Sequence, residues 1–435
     1  MQGHVGVVPI LDSSQHQSTR NDVTTARAMA SVAARTALLP VAHGTEEMET
    51  AVMADVLRRA GARVTLASVE EGPSRVVKAS RGLRIRADVS LSASELEKDY
   101  DLMALPGGMP GAARLRDCQP LAEALKRQAN SGKLTAAICA APAVVLRSHG
   151  ILNGRKATAH PGFLHELQED STVGAATENR VEVDGNLITS RGPGTAYEFA
   201  LAMTEATMGK DVRDKTATPL LLAREIGGSS DDVPVTVVSP APPPPVKKEG
   251  EAIKVLLAVG DGSEDMESVI TYDVLVRGGA SVTIASVMDS KDITCANGLG
   301  IETDGLIQDF EASEYDLIVL PGGMPGAEHL SKCETLIGML RKQKESGKLY
   351  AAICASPAVV LETNGLLEGK KATAYPAFQP KLKDPSVVKS RVVIDGNCIT
   401  SQGPGTSFDF GLTLVECLFG KAKAEEIKGP MVMWN

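Results

Sequence analysis

The sequence predicts two tandem α/β domains, each a doubly wound sandwich of flavodoxin-like type with a mostly parallel sheet. Three observations carry this. A chain of 435 residues is too long for one ordinary core. The chain also repeats itself: "LPGGMPGA" occupies 105–112 and again 320–327, and "GKLTAAICAAPAVVL" (132–146) matches "GKLYAAICASPAVVL" (347–361) at 13 of 15 positions. Within each repeat, short apolar β-type runs alternate with helical patterns, which is the signature of a parallel sheet covered on both faces.

Each unit opens on a strand, "TALLPVAH" (36–43) or "KVLLAVG" (254–260), followed by the acidic segment "GTEEMET" (44–50) or "GSEDMES" (262–268). A helix follows through "MADVLRRAGA" or "ITYDVLVRGGA", then a strand in "RVTLASV" or "SVTIASV". The next strands end in "YDLMALPGG" and "YDLIVLPGG", and later "ITSRGPGTAYEFAL" (188–201) answers "ITSQGPGTSFDFGL" (399–412). The expected organisation is a leader over 1–34, a first unit over 35–226, a Pro-rich extended linker over 227–252 and a second unit over 253–430. The leader is Ser/Thr-rich without a secretory core, and reads as a transit peptide or a disordered segment.

Composition narrows the function. The net charge is −9 and aromatic residues are 3% of the chain, so neither a polyanion-binding face nor a base-stacking surface is expected. No apolar run approaches a membrane span. Seven cysteines without a C-x-x-C pair suit a reducing compartment rather than a disulfide framework. A cytoplasmic or nuclear location follows, or a plastid one if the leader is a transit peptide. The seven histidines show no metal-ligand spacing, and there is no P-loop and no G-x-G-x-x-G after a strand, so neither metal nor cofactor is expected.

The chemistry then falls to the side chains at the carboxyl ends of strands. In "LTAAICAAP" a strand ends near Cys139 and a helix should start near Pro142. Most free cysteines are small buried hydrophobes, but this setting favours a nucleophile. A thiol on such a turn faces helix N-terminal amides, which lower its pKa, and the Ala140 amide can receive an oxyanion. Gly107 and Gly108, at another strand end, are candidates for the second donor. Glu46, Glu47 and Glu49 suit the positive end of a helix, and one turned toward the thiol would carry a raised pKa and shuttle protons. His160, in "ATAHPGF", would complete a Cys–His arrangement; the second copy has Tyr375 there. Cys118 and Cys333 read as residues at helix starts.

On "EEMET", "LPGG", "AAICA", "ATAHP" and "SRGPGTAYEFAL", each copy resembles the PfpI/DJ-one superfamily, and two such domains in tandem resemble its plant members. The resemblance implies a class I glutamine amidotransferase-like sandwich. It assigns the reactive cysteine to Cys139 and Cys354 and the buried protonated glutamate to Glu49 and Glu267. The glycine pair falls on Gly107/Gly108 and Gly322/Gly323, the amides after the thiols on Ala140 and Ala355, and the histidine on His160 alone. Arginines map to Arg59 and Arg277, and to Arg81, where copy two has Asn297. The expected activity is a cofactor-independent glyoxalase III, a lyase of D-lactate dehydratase type acting without glutathione on small dicarbonyls, with protein deglycation of glycated partners as a related activity. The alternative is a redox-sensing, chaperone-like interaction protein using the same cysteine. An amidotransferase or protease is disfavoured, because Gly-x-Cys-x-Gly and a late His-x-Glu are absent. The two domains are expected to pair within the chain as a pseudo-dimer that can assemble into a homo-oligomer.

Overall fold

The computed structural model describes Met1 and residues 34–222, 233–248 and 250–433; the transit-peptide reading of the leader lies outside these. In the first repeat, seven strands form one sheet in the order Val181–Asp184, Leu187–Ser190, Leu134–Ile138, Leu102–Leu105, Thr36–Val41, Arg63–Ser68, Val89–Ser90. All neighbours are parallel except the first pair. The opening strand lies inside the sheet with the next β-α-β units wound to either side, which is the flavodoxin order and puts a switch point between Thr36–Val41 and Leu102–Leu105. The second repeat builds the same sheet around Lys254–Val259.

The pleat explains why these strands are apolar on both faces. Leu39 and Val41 join the core beneath the helix Glu47–Arg59, whereas Leu38 points the other way, into a separate core with Leu121, Leu125 and Val145. The first of these cores runs without a break into the second repeat, through residues such as Val269, Val274 and Phe410. Both repeats accordingly fall within one compact unit, Arg35–Asn435.

A third, four-stranded antiparallel sheet joins the repeats directly: Asp292–Thr294, Gly300–Glu302, Arg84–Arg86 and Val76–Lys78, with Ile301 opposite Ile85. Tyr197 Oη donates to Pro404 O at 2.6 Å and Tyr272 Oη to Arg81 O at 3.1 Å, so phenols of each copy are satisfied by carbonyls of the other.

The segment expected to be an extended linker differs. Val233–Ser239 forms an eighth strand at the sheet edge, parallel to Ser390–Asp395. Its β-branched run suits a pleated surface, and its proline is tolerated because the strand sits at an edge. The counterpart edge of the first sheet, Val181–Asp184, ends the sheet. Among the described residues, no helix is long and apolar enough to cross a membrane.

Candidate functional site

Three strand ends of the first copy converge. After Thr36–Val41 the chain enters the helix Glu47–Arg59, with Glu46 as its N-cap: Glu46 Oε2 accepts from Glu49 N at 2.7 Å. Glu47 ties the neighbouring loop, accepting from Ser80 Oγ at 2.7 Å and Arg81 N at 2.8 Å. The acids expected only to favour the helix end are thus also structural. Glu49, fully buried, turns back toward the sheet, where its Oε2 accepts from Gly107 N at 2.7 Å. Its buried Oε1 has no hydrogen bond of standard geometry and belongs to the carboxyl that meets the Cys139 thiol.

Cys139 ends the strand Leu134–Ile138 in the left-handed region, with φ 65°, where a side chain with a Cβ is strained. Its peptide is held on both sides: its N–H donates to Ser190 O at 2.9 Å, and its carbonyl accepts from His160 N at 2.9 Å. That grip holds the elbow and projects the thiol toward the glycine pair. A helix does begin at Pro142, and its first turn, Pro142–Leu146, is wound as a π-helix. Cys118, as expected, precedes a helix, Gln119–Asn130.

The glycines play different roles. A Cβ on Gly107 would lie 2.5 Å from Cys139 Cβ and 3.0 Å from both its Sγ and Ala140 N, so only glycine leaves room for the thiol. Because the Gly107 N–H is bound to Glu49, Gly107 is not an oxyanion donor, contrary to the expectation for the pair. Gly108, at φ 83°, carries the amide that interacts with the sulfur.

Electrostatics corrects a second expectation. Burial pushes Glu49 up to about 7, against the opposing effects of the Gly107 amide, the thiol and Arg277. Burial also pushes Cys139 well above the usual thiol range, helped by the carboxylates of Glu49 and Glu46, with the Gly108 amide opposing. Helix amides therefore do not make this thiol acidic by themselves. Loss of both protons is disfavoured, because two anions side by side in a buried site repel. A thiolate forms when Glu49 keeps its proton.

The second copy repeats this arrangement. Glu267 Oε2 accepts from Gly322 N at 2.7 Å and the carboxyl is pushed by burial to about 7. Cys354 has φ 65°, and a Cβ on Gly322 would lie 2.9 Å from Cys354 Sγ and from Ala355 N. Gly323 N–H, at φ 84°, is the amide on the sulfur. Cys354 is buried at 8% exposure, whereas Cys139 is half-buried.

His160 does not occupy the place of a general base. Its Nδ1 accepts from Gly162 N at 3.1 Å as a helix N-cap, which leaves Nε2 to donate to Pro430 O at 3.1 Å. Neither ring nitrogen is hydrogen-bonded to the thiol, and burial lowers the ring's pKa, favouring the neutral form. In the second copy Tyr375 fills the place, its N–H donating to Cys354 O at 2.8 Å and its Oη to Pro219 O at 3.3 Å.

Pro430 and Pro219 were not legible as site residues. Pro430 O of the second copy meets the His160 ring of the first, and Pro219 of the first lines the space above Cys354 of the second. The arginines cross in the same way. Arg277 Nη2 lies 2.9 Å from Glu46 Oε1 and Arg59 Nη2 lies 2.6 Å from Glu264 Oε1, and each also pairs with an aspartate of its own helix, Asp273 or Asp55. Arg81 and Asn297 answer differently to these aspartates. Asn297 Nδ2 donates to Asp55 Oδ2 at 2.7 Å, while Arg81 acts on Asp273 through its charge. The carboxylate oxygens of Glu46, Glu47 and Asp273 lie within 4.8 Å of one another, a spacing that suits a cation, and the Arg277 guanidinium supplies positive charge there.

Comparison with known proteins shows which family the chain resembles. The model of the DJ-1/PfpI family matches residues 35–206 and again 253–417. The chain is 45% identical over 390 residues to Protein DJ-1 homolog B of Arabidopsis thaliana, covering 90% of this chain and 86% of that one. It is 34% identical over 181 residues to the Glutathione-independent glyoxalase DJR-1.2 of Caenorhabditis elegans, covering 41% of this chain and 95% of that protein. Among solved structures, oxidized Toxoplasma gondii DJ-1 is 44% identical, with 42% of this chain and 96% of that one covered and a TM-score of 0.40.

Proposed function

The chain belongs to the DJ-1/PfpI family, and from its thiol–carboxyl pairs we propose that it is a cofactor-independent glyoxalase converting methylglyoxal and glyoxal to lactate and glycolate. The observation that carries this reading is the buried Glu49 carboxyl, pushed to about 7 and held by Gly107 N with its other oxygen free beside Cys139. A group poised near neutrality next to a nucleophile can both give and take a proton.

The Cys139 thiolate adds to the aldehyde carbon, forming the C–S bond of a hemithioacetal, and the new oxyanion meets the Gly108 and Ala140 amides and takes the Glu49 proton. Glu49, now a carboxylate, removes the proton from the former aldehyde carbon to give an enediolate and returns it to the neighbouring carbon, while the hydroxyl proton passes from the first oxygen to the second. The first carbon is thereby oxidised to a thioester and the second reduced to an alcohol, within one molecule. Water cleaves the thioester, releasing the hydroxy acid and the thiol. The same steps are proposed for Cys354 and Glu267, and adducts of glyoxals on proteins offer the same carbons to the same thiol. A relative named a glutathione-independent glyoxalase supports the reading.

One feature favours redox sensing as a second reading: the Glu49 carboxyl beside the thiol, whose Oε1 has no hydrogen bond of standard geometry, is suited to hydrogen-bond an oxygen of an oxidised sulfur. Turnover is the test of the first reading. The Cys139→Ala/Cys354→Ala chain is expected to form no lactate from methylglyoxal above the uncatalysed rate, and wild-type production by it would overturn the proposal.

A further inference from the structure

The two thiol sites share elbow, glycine and carboxyl, and differ at the rim. Above Cys354 lies a cavity of about 220 Å³ whose walls are Met324, Tyr375, Phe378 and Pro404 of the second copy and Pro219 of the first. Arg59, Glu264 and Asn297 also line it, with their polar groups engaged by protein partners. Tyr375 Oη is anchored on Pro219 O, which sets the ring as a wall. The Asn297 amide is bound to Asp55, and the Arg59 charge is held by Asp55 and Glu264. The first copy has at the corresponding sequence positions His160, whose ring nitrogens are bound to Pro430 O and Gly162 N, and Arg81, an exposed residue.

Size points the same way as chemistry. An apolar cavity of about 150 Å³ holds benzene, whereas methylglyoxal is little larger than acetone and leaves most of 220 Å³ empty. Binding sites of this kind are apolar and aromatic, with few polar groups for orientation, and the orienting groups here are the amides and the thiol at the floor.

We propose that the second copy's site takes uncharged, aromatic 2-oxoaldehydes of the phenylglyoxal class, and that Tyr375 and Asn297, in place of His160 and Arg81, set this preference. The assignment of a reaction rests on the thiol chemistry proposed above: phenylglyoxal and water give mandelate, with the aldehyde carbon oxidised and the ketone carbon reduced. The shape and charge of the rim do not depend on that reaction.

The first arm of the test needs no turnover. The wild-type chain is alkylated with iodoacetamide and with phenacyl bromide, each forming one S–C bond as the halide leaves, and rates at Cys139 and Cys354 are read by peptide mass spectrometry. The phenacyl-to-iodoacetamide rate ratio is expected to be about tenfold higher at Cys354, and Tyr375→His/Asn297→Arg should bring it down toward the Cys139 value. In the second arm, the Cys139→Ala chain should favour phenylglyoxal over methylglyoxal, in kcat/KM, by about tenfold more than the Cys354→Ala chain does. Equal ratios in either arm overturn the proposal. A difference in alkylation with no turnover of either aldehyde by either chain overturns the glyoxalase reading and supports the rim assignment.

Discussion

Arg277 reaches across the interface to lie 2.9 Å from the Glu46 carboxylate, so a helix of the second copy supplies the positive charge beside the first copy's thiol. Arg59 returns the relationship toward Glu264. The acidic cluster of each repeat is therefore completed by a guanidinium of the other.

This crossing predicts an effect in trans. Arg277 opposes the rise of the Glu49 pKa, so Arg277→Met should move the acid limb of the kcat/KM profile upward in the Cys354→Ala background. The Cys139→Ala background, whose thiol is served by Arg59, should keep its limb. Equal shifts in both backgrounds would contradict the crossed arrangement.

The same pair carries stability. Arg277 and its partners Glu46 and Asp273 are 9%, 4% and 0% exposed at the side chain, and removing one partner of a buried ion pair costs about 3–5 kcal/mol. Urea unfolding of Arg277→Met should show a loss of that order, smaller for Arg277→Lys.

Activity should rise with pH through about 7, where Glu49 and Glu267 titrate. Below that range thiol and carboxyl are both protonated and no thiolate is present. Above it the pair holds one negative charge, and because burial raises both thiols well above the usual range, loss of the second proton falls at still higher pH. In a Cys354→Ala chain, Glu49→Gln should remove the limb near 7 from whatever activity remains.

Stability should run the other way. Glu47, Glu49, Asp265 and Glu267 are all raised by burial to about 7. Their folded forms bind more protons than the unfolded chain between the ordinary carboxylate range and 7. The stability they contribute is fully present below the ordinary range and declines as pH rises through about 7. Thermal midpoints recorded from pH 5 to pH 8 should fall, and Glu47→Gln should flatten the decline.

Gly107→Ala should abolish the first site selectively. The added Cβ would sit 2.5 Å from Cys139 Cβ, an overpacking that costs about 1–3 kcal/mol and displaces the thiol. Cys139 alkylation should slow while Cys354 keeps its rate.

The duplicated α/β sandwich, the three strand-end motifs and the thiol elbows are legible in the order of residues alone. These are local: periodicity of burial fixes strands and helices, and a Pro three residues after a Cys marks a turn into a helix. Residue order also placed Glu49 rather than its neighbours beside the thiol, although only by resemblance. Tertiary structure decided what faces what. Pro430 taking the His160 ring, Arg277 and Arg59 crossing to Glu46 and Glu264, and Val233–Ser239 extending a sheet are contacts between residues far apart in the chain. The direction of the thiol's pKa was likewise decided there, since burial beside two carboxyls outweighed the Gly108 amide. A chain can encode such pairings without local signature, because a carbonyl, an arginine or a β-branched run acquires its partner only when the domains close.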